Sequence, residues 1–79
     1  MGFLVTQEEI ITKLTDSFPG AEVRCQDLTG GGDHWRVEIK APQFSEMSMI
    51  EQHQSVYKAL GDWMSGPIHA LSLDTSALL

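Results

Sequence analysis

Seven consecutive residues, Trp35-Arg36-Val37-Glu38-Ile39-Lys40-Ala41, alternate between apolar and charged without a break. No other feature of the chain restricts its fold so strongly. A strand turns successive side chains to opposite faces, so this stretch has one apolar face and one charged face. It belongs in a sheet that is wet on one side and covered on the other. At 79 residues the chain has room for one domain, over residues 1–79.

The cover should come from two helices, each with a legible start. Thr6 and Glu9 form a capping box, in which the Thr6 hydroxyl caps the Glu9 amide and the Glu9 carboxylate reaches back. Val5 and Ile10 are spaced as a hydrophobic staple across that cap. Ile10, Ile11, Leu14 and Phe18 then give one apolar face, and Pro19-Gly20 ends the helix. Ser48 and Glu51 form a second box, opening a longer helix with the stripe Met49, Ile50, His53, Val56, Tyr57, Leu60 and Met64. Gly61 divides this pattern into two helices, and Gly66-Pro67 stops it.

Two further strands complete the pattern. Glu22-Val23-Arg24-Cys25-Gln26 alternates with Val23 and Cys25 inward, and Leu28 to His34 forms a mobile glycine-rich hairpin loop. Ile68-His69-Ala70-Leu71-Ser72-Leu73 reads as the last strand. Its long helical connection predicts that it runs parallel to the second strand, through a right-handed crossover. The expected fold is α+β, in the order α-β-β-α-α-β, with a three-stranded mixed sheet carrying helices on one face.

Eleven acidic against five basic residues give a net charge of −6, and the five cations are scattered. That argues against a binder of phosphate backbones, which needs clustered cations. The lone Cys25 excludes an internal disulfide and any all-cysteine metal site within one chain. No apolar run reaches the roughly 18–20 residues of a membrane span, and no basic segment precedes Phe3-Leu4-Val5. The expected compartment is cytoplasmic.

Gly30-Gly31-Gly32 precedes a strand and is followed by no Gly-Lys-Ser/Thr, so it reads as a hairpin rather than a phosphate loop. Cys25 falls on the inward face of its strand, the serines sit at caps or chain ends without a GxSxG turn, and the carboxylates form no distinct pair. No enzyme is expected. His53 lies on a helix stripe and reads as a structural residue. His34 ends the glycine loop, exposed, and His69 opens the last strand. With the second and third strands parallel, both imidazoles belong to one sheet edge, a half-site for a soft or borderline metal.

The segments Val23-Arg24-Cys25-Gln26-Asp27-Leu28, His34-Trp35-Arg36-Val37, Phe44, Gln52 to Leu60 with its HxxVY pattern, and Ile68-His69-Ala70-Leu71-Ser72-Leu73 resemble the BolA family from about Gln7 to Thr75. The resemblance implies a fold related to the type II KH arrangement. It also implies partnership with a monothiol CGFS glutaredoxin. With that partner and glutathione, such a protein holds a bridging [2Fe-2S] cluster used in iron–sulfur trafficking or iron sensing. By the same resemblance the ligands on this side are His69, from the terminal strand, and His34, from the loop between the first two strands. The chain alone is expected to be a monomer or weak homodimer.

Two departures stand out: Gln52-His53-Gln54 replaces a basic RHR, and Phe44-Ser45-Glu46 replaces Phe-x-Gly. The alternative function is a KH-like nucleic-acid-binding transcriptional regulator. The net charge and the lack of a GXXG loop near Gly61 to Gly66 speak against it. An adaptor docking through the long helix and the Trp63/Pro67 region, without metal, is a third reading.

Overall fold

The computed structural model describes residues 5–68 and 70–78. Its elements are α1 (Gln7–Ser17), β1 (Glu22–Asp27), β2 (His34–Ala41), a 3-10 turn at Pro42–Phe44, α2 (Met49–Leu60), a 3-10 helix at Gly61–Ser65 and β3 (Ala70–Ala77). Both capping boxes form. Glu9 N–H donates to Thr6 Oγ1 at 3.1 Å while Thr6 N–H donates to Glu9 Oε1 at 2.9 Å. Ser48 and Glu51 exchange the same pair of bonds at 3.2 and 2.9 Å. The Ser48 bonds also hold the Glu51 carboxyl below its ordinary range. Gly61 caps α2 at φ +55°, a left-handed conformation that side-chain-bearing residues rarely adopt, and there the α-helix gives way to the tighter 3-10 turn.

The sheet order is β1-β2-β3, antiparallel between the first pair and parallel between the second. The α+β architecture expected from the sequence is therefore the one observed. Trp35, Val37, Ile39 and Ala41 of β2 are all buried, beneath Ile10, Leu14 and Phe18 of α1, Val56 and Leu60 of α2, and Phe44. Phe18 and Phe44 meet edge to face, with centroids 5.1 Å apart. Lys13 of α1 lies over the Trp63 ring at 4.7 Å, tying α1 to the 3-10 helix.

Two expectations are corrected. The buried positions of α2 are Gln52, Val56 and Leu60, whereas Met49, Ile50 and Tyr57 of the expected stripe are exposed, Ile50 to 71%. The helix can turn Gln52 inward because its amide is satisfied there. Its Nε2–H donates to Met47 O at 3.0 Å, and its Oε1 accepts the Thr75 hydroxyl at 2.7 Å. The same bond explains the second difference. β3 begins at Ala70 and continues to Ala77, beyond the expected end at Leu73, because Thr75 occupies an inward position with its hydroxyl paired. Hydrophobic alternation alone stops short of a polar residue that the core accepts.

The Gln52–Thr75 bond gives a direct test of this account. Gln52→Ala removes the Met47 carbonyl's side-chain donor and leaves the buried Thr75 hydroxyl only the weak Met49 sulfur acceptor at 3.3 Å, and it should cost about 1–3 kcal/mol in urea unfolding. Gln52→Ala combined with Thr75→Val should cost less than the sum of the two single changes, because the pair shares one bond.

Candidate functional site

The chemistry-bearing residues gather where β2 and β3 begin. Parallel pairing sets His34 opposite Ala70, and Ala70 N–H donates to Asp33 O at 3.2 Å. Ala70 follows His69 in the sequence; His69 itself lies outside the described residues. His34 is the first residue of β2 and half-buried, where the sequence suggested an exposed loop end. Pairing on both sides accounts for this, since Leu28 N–H donates to His34 O at 2.9 Å and β3 flanks it opposite.

The preceding loop is organised rather than loose. The Asp27 carboxylate accepts backbone N–H groups from Thr29 at 3.3 Å, Gly30 at 3.0 Å and Gly32 at 2.9 Å. Gly32 sits at φ +77°, which lets the chain fold back over Asp27, and its carbonyl accepts the Trp35 indole N–H at 3.0 Å. Sequence reasoning passed over Asp27. An aspartate two residues before Thr29-Gly30 is nonetheless a recognised turn signal, because its side chain bonds backbone N–H groups just ahead.

Asp33 faces His34. Its Oδ1 lies 3.0 Å from His34 Nδ1, a hydrogen-bond distance although the ring N–H is not closely aligned with it. The same oxygen accepts the Thr29 hydroxyl at 3.2 Å. The His34 ring beside it, foremost, with help from the Thr29 hydroxyl, holds the Asp33 carboxyl below its ordinary range. Among the described residues no group of three or more His, Cys, Asp or Glu side chains is placed to hold a metal ion. A metal bound at His34 would therefore take further ligands from beyond these residues. His34 fits such a role chemically: a histidine whose one ring nitrogen faces a carboxylate is the usual form of a metal-binding imidazole.

The other singled-out residues fall elsewhere. Cys25 is buried on the core face of β1, opposite Val37, and burial together with the Asp27 charge pushes its thiol up from about 9.0 to about 11. At neutral pH it is a protonated thiol, poorly suited to ligate or attack. His53 is half-buried on α2, and Trp63 and Pro67 are half-buried along the return to β3. Among the described residues no helix is long and apolar enough to cross a membrane.

A family model described as BolA-like protein matches residues 10–78. An uncharacterized protein of Rickettsia prowazekii is 34% identical over 74 residues, covering 94% of this chain and 96% of its own length. The solution structure of a BolA-like hypothetical protein from that organism superposes with a TM-score of 0.74 at 32% identity, covering 98% of this chain and 100% of the other. A bolA protein homologue from Coxiella burnetii gives 0.78 at 29% identity, with 94% and 92% coverage. Human BolA-like protein 1 is 34% identical over 71 residues, or 81% of this chain, which spans only 52% of that longer protein.

The buried thiol and the strapped loop each carry an expected outcome. Alkylation of Cys25 at pH 8 should be slow in the folded protein and fast in urea. Because folding raises this pKa, the thiol's contribution to stability is complete below pH about 9 and lost as pH rises through about 11. Cys25→Ala should abolish that part of the alkaline decline. Asp27→Ala should speed amide hydrogen exchange at Gly30 and Gly32 while leaving the Val37 and Ile39 amides protected.

Proposed function

The chain belongs to the BolA-like family, and on that premise we propose that it binds a monothiol CGFS glutaredoxin and shares with it a bridging [2Fe-2S] cluster. His69 and His34 are the ligands from this side, and the glutaredoxin cysteine and glutathione complete the set. The observation that carries this reading is the parallel register of β2 and β3, in which His34 stands opposite Ala70, the residue following His69 in sequence.

A [2Fe-2S] cluster with imidazole in place of thiolate has a raised potential. A histidine binds iron through a ring nitrogen that carries no proton, so His34 would serve as the neutral imidazole. The β2 backbone and the Asp27-held loop fix where that imidazole starts from. Sharing the ligand set between two proteins makes the cluster a transferable cargo or an iron signal rather than a fixed redox centre. The apolar residues Met49, Ile50 and Tyr57, exposed on α2, supply surface that a protein partner can cover.

The test is visible absorption and circular dichroism on the protein reconstituted with a CGFS glutaredoxin, glutathione, iron and sulfide. The expected spectrum differs from that of the glutaredoxin homodimer. His69→Ala should remove most of the mixed cluster, and His34→Ala should leave one that decays faster. An unchanged glutaredoxin spectrum with no co-elution would overturn the reading.

A further inference from the structure

A histidine offers a metal either of two ring nitrogens, and the other must hold the proton. At His34, Nδ1 is shut off from solvent and lies 3.0 Å from Asp33 Oδ1. The pair is not aligned as a hydrogen bond, yet at 3.0 Å charge still discriminates: a proton on Nδ1 sets a positive hydrogen near the carboxylate, whereas a bare Nδ1 sets a lone pair near it. The neutral ring is therefore favoured with its proton on Nδ1, which puts the lone pair on Nε2.

Asp33 is held in position to impose this choice. Thr29 Oγ1 donates to the same Oδ1 at 3.2 Å and accepts Gly31 N–H at 3.3 Å, while Thr29 N–H donates to Asp27 at 3.3 Å. Asp33 O takes the Ala70 N–H. Side chain and backbone of Asp33 are thus fixed from two directions: by the turn that Asp27 organises at the end of β1, and by the start of β3.

We infer that Asp33 is a positioning residue that keeps the His34 proton on Nδ1 and so makes Nε2 the nitrogen that meets a metal. The metal half of this inference rests on the ligand role proposed above for His34, whereas the tautomer half stands on the loop geometry. Carboxylates in this relation to a ligating histidine fix its tautomer and ring orientation, and losing one costs about 10–100-fold in metal affinity.

The experiment reads the ring directly. Long-range proton–nitrogen correlation on the 15N-labelled protein without metal, under conditions where the imidazole is neutral, should show His34 as the Nδ1–H tautomer. Asp33→Ala should shift it toward Nε2–H, and Asp33→Asn, whose side-chain carbonyl still accepts, should keep Nδ1–H. A wild-type ring already in the Nε2–H form, or an unchanged ring in Asp33→Ala, would overturn the inference; the wild-type spectrum decides even if a variant folds poorly. After reconstitution with the CGFS glutaredoxin, Asp33→Ala should hold the mixed cluster about 10–100-fold less tightly than wild type or Asp33→Asn. Equal retention in all three would overturn the positioning role. If the wild type forms no mixed cluster, the functional proposal fails while the tautomer spectrum still decides what Asp33 does.

Discussion

The burial of β2's apolar face is the constraint on which the other elements depend. β2 is the central strand, antiparallel to β1 on one side and parallel to β3 on the other. Its four inward residues, Trp35, Val37, Ile39 and Ala41, are each at most 3% exposed. Fully burying a large apolar side chain is worth about 1.5–3 kcal/mol, and the other large buried side chains belong to the same core cluster as this face. The helices serve that face. Ile10, Leu14 and Phe18 cover it from α1, Val56 and Leu60 from α2, and Phe44 closes the space beside Phe18.

Covering one sheet face with two short helices leaves little freedom in how each is turned. α2 seats Gln52 inward, and the amide bridges Met47 O and the Thr75 hydroxyl. Such a satisfied polar pair ties α2 to β3 with a directionality that apolar contacts lack. Its consequence is on the outside: Ile50, and in part Met49 and Tyr57, face solvent although the helix pattern marks them as apolar. The packing of the domain and the apolar surface exposed on α2 are therefore two results of one rotation of that helix.

The parallel pairing of β2 with β3 has a similar double effect. Parallel strands start at the same edge, so the residue opening β2 and the residues opening β3 share one end of the sheet. Asp27, at the end of β1, gathers the glycine loop over that same edge. The loop then delivers Asp33 against His34. A hairpin between β1 and β2 and a long helical return between β2 and β3 thus bring distant parts of the sequence to one edge of the sheet, where Asp33 and His34 stand.

Much of this was legible in the sequence. The alternation from Trp35 to Ala41, the Thr6/Glu9 and Ser48/Glu51 boxes and the break at Gly61 are local patterns, each reporting a preference of a few neighbouring residues. Together with the length of the connection before β3, they determined the α+β class, the order of elements and the parallel third strand. Resemblance in the HxxVY and IHAL segments pointed to the family, and His34 was singled out from its place at the end of the glycine loop. Tertiary structure alone decided the rotation of α2 and the extension of β3 to Ala77, because both turn on the Gln52–Thr75 bond across the fold. The strapping of the loop by Asp27 and the approach of Asp33 to His34 are local, but they rest on polar side chains finding backbone and ring partners, and hydrophobic periodicity carries no information about where such partners will be.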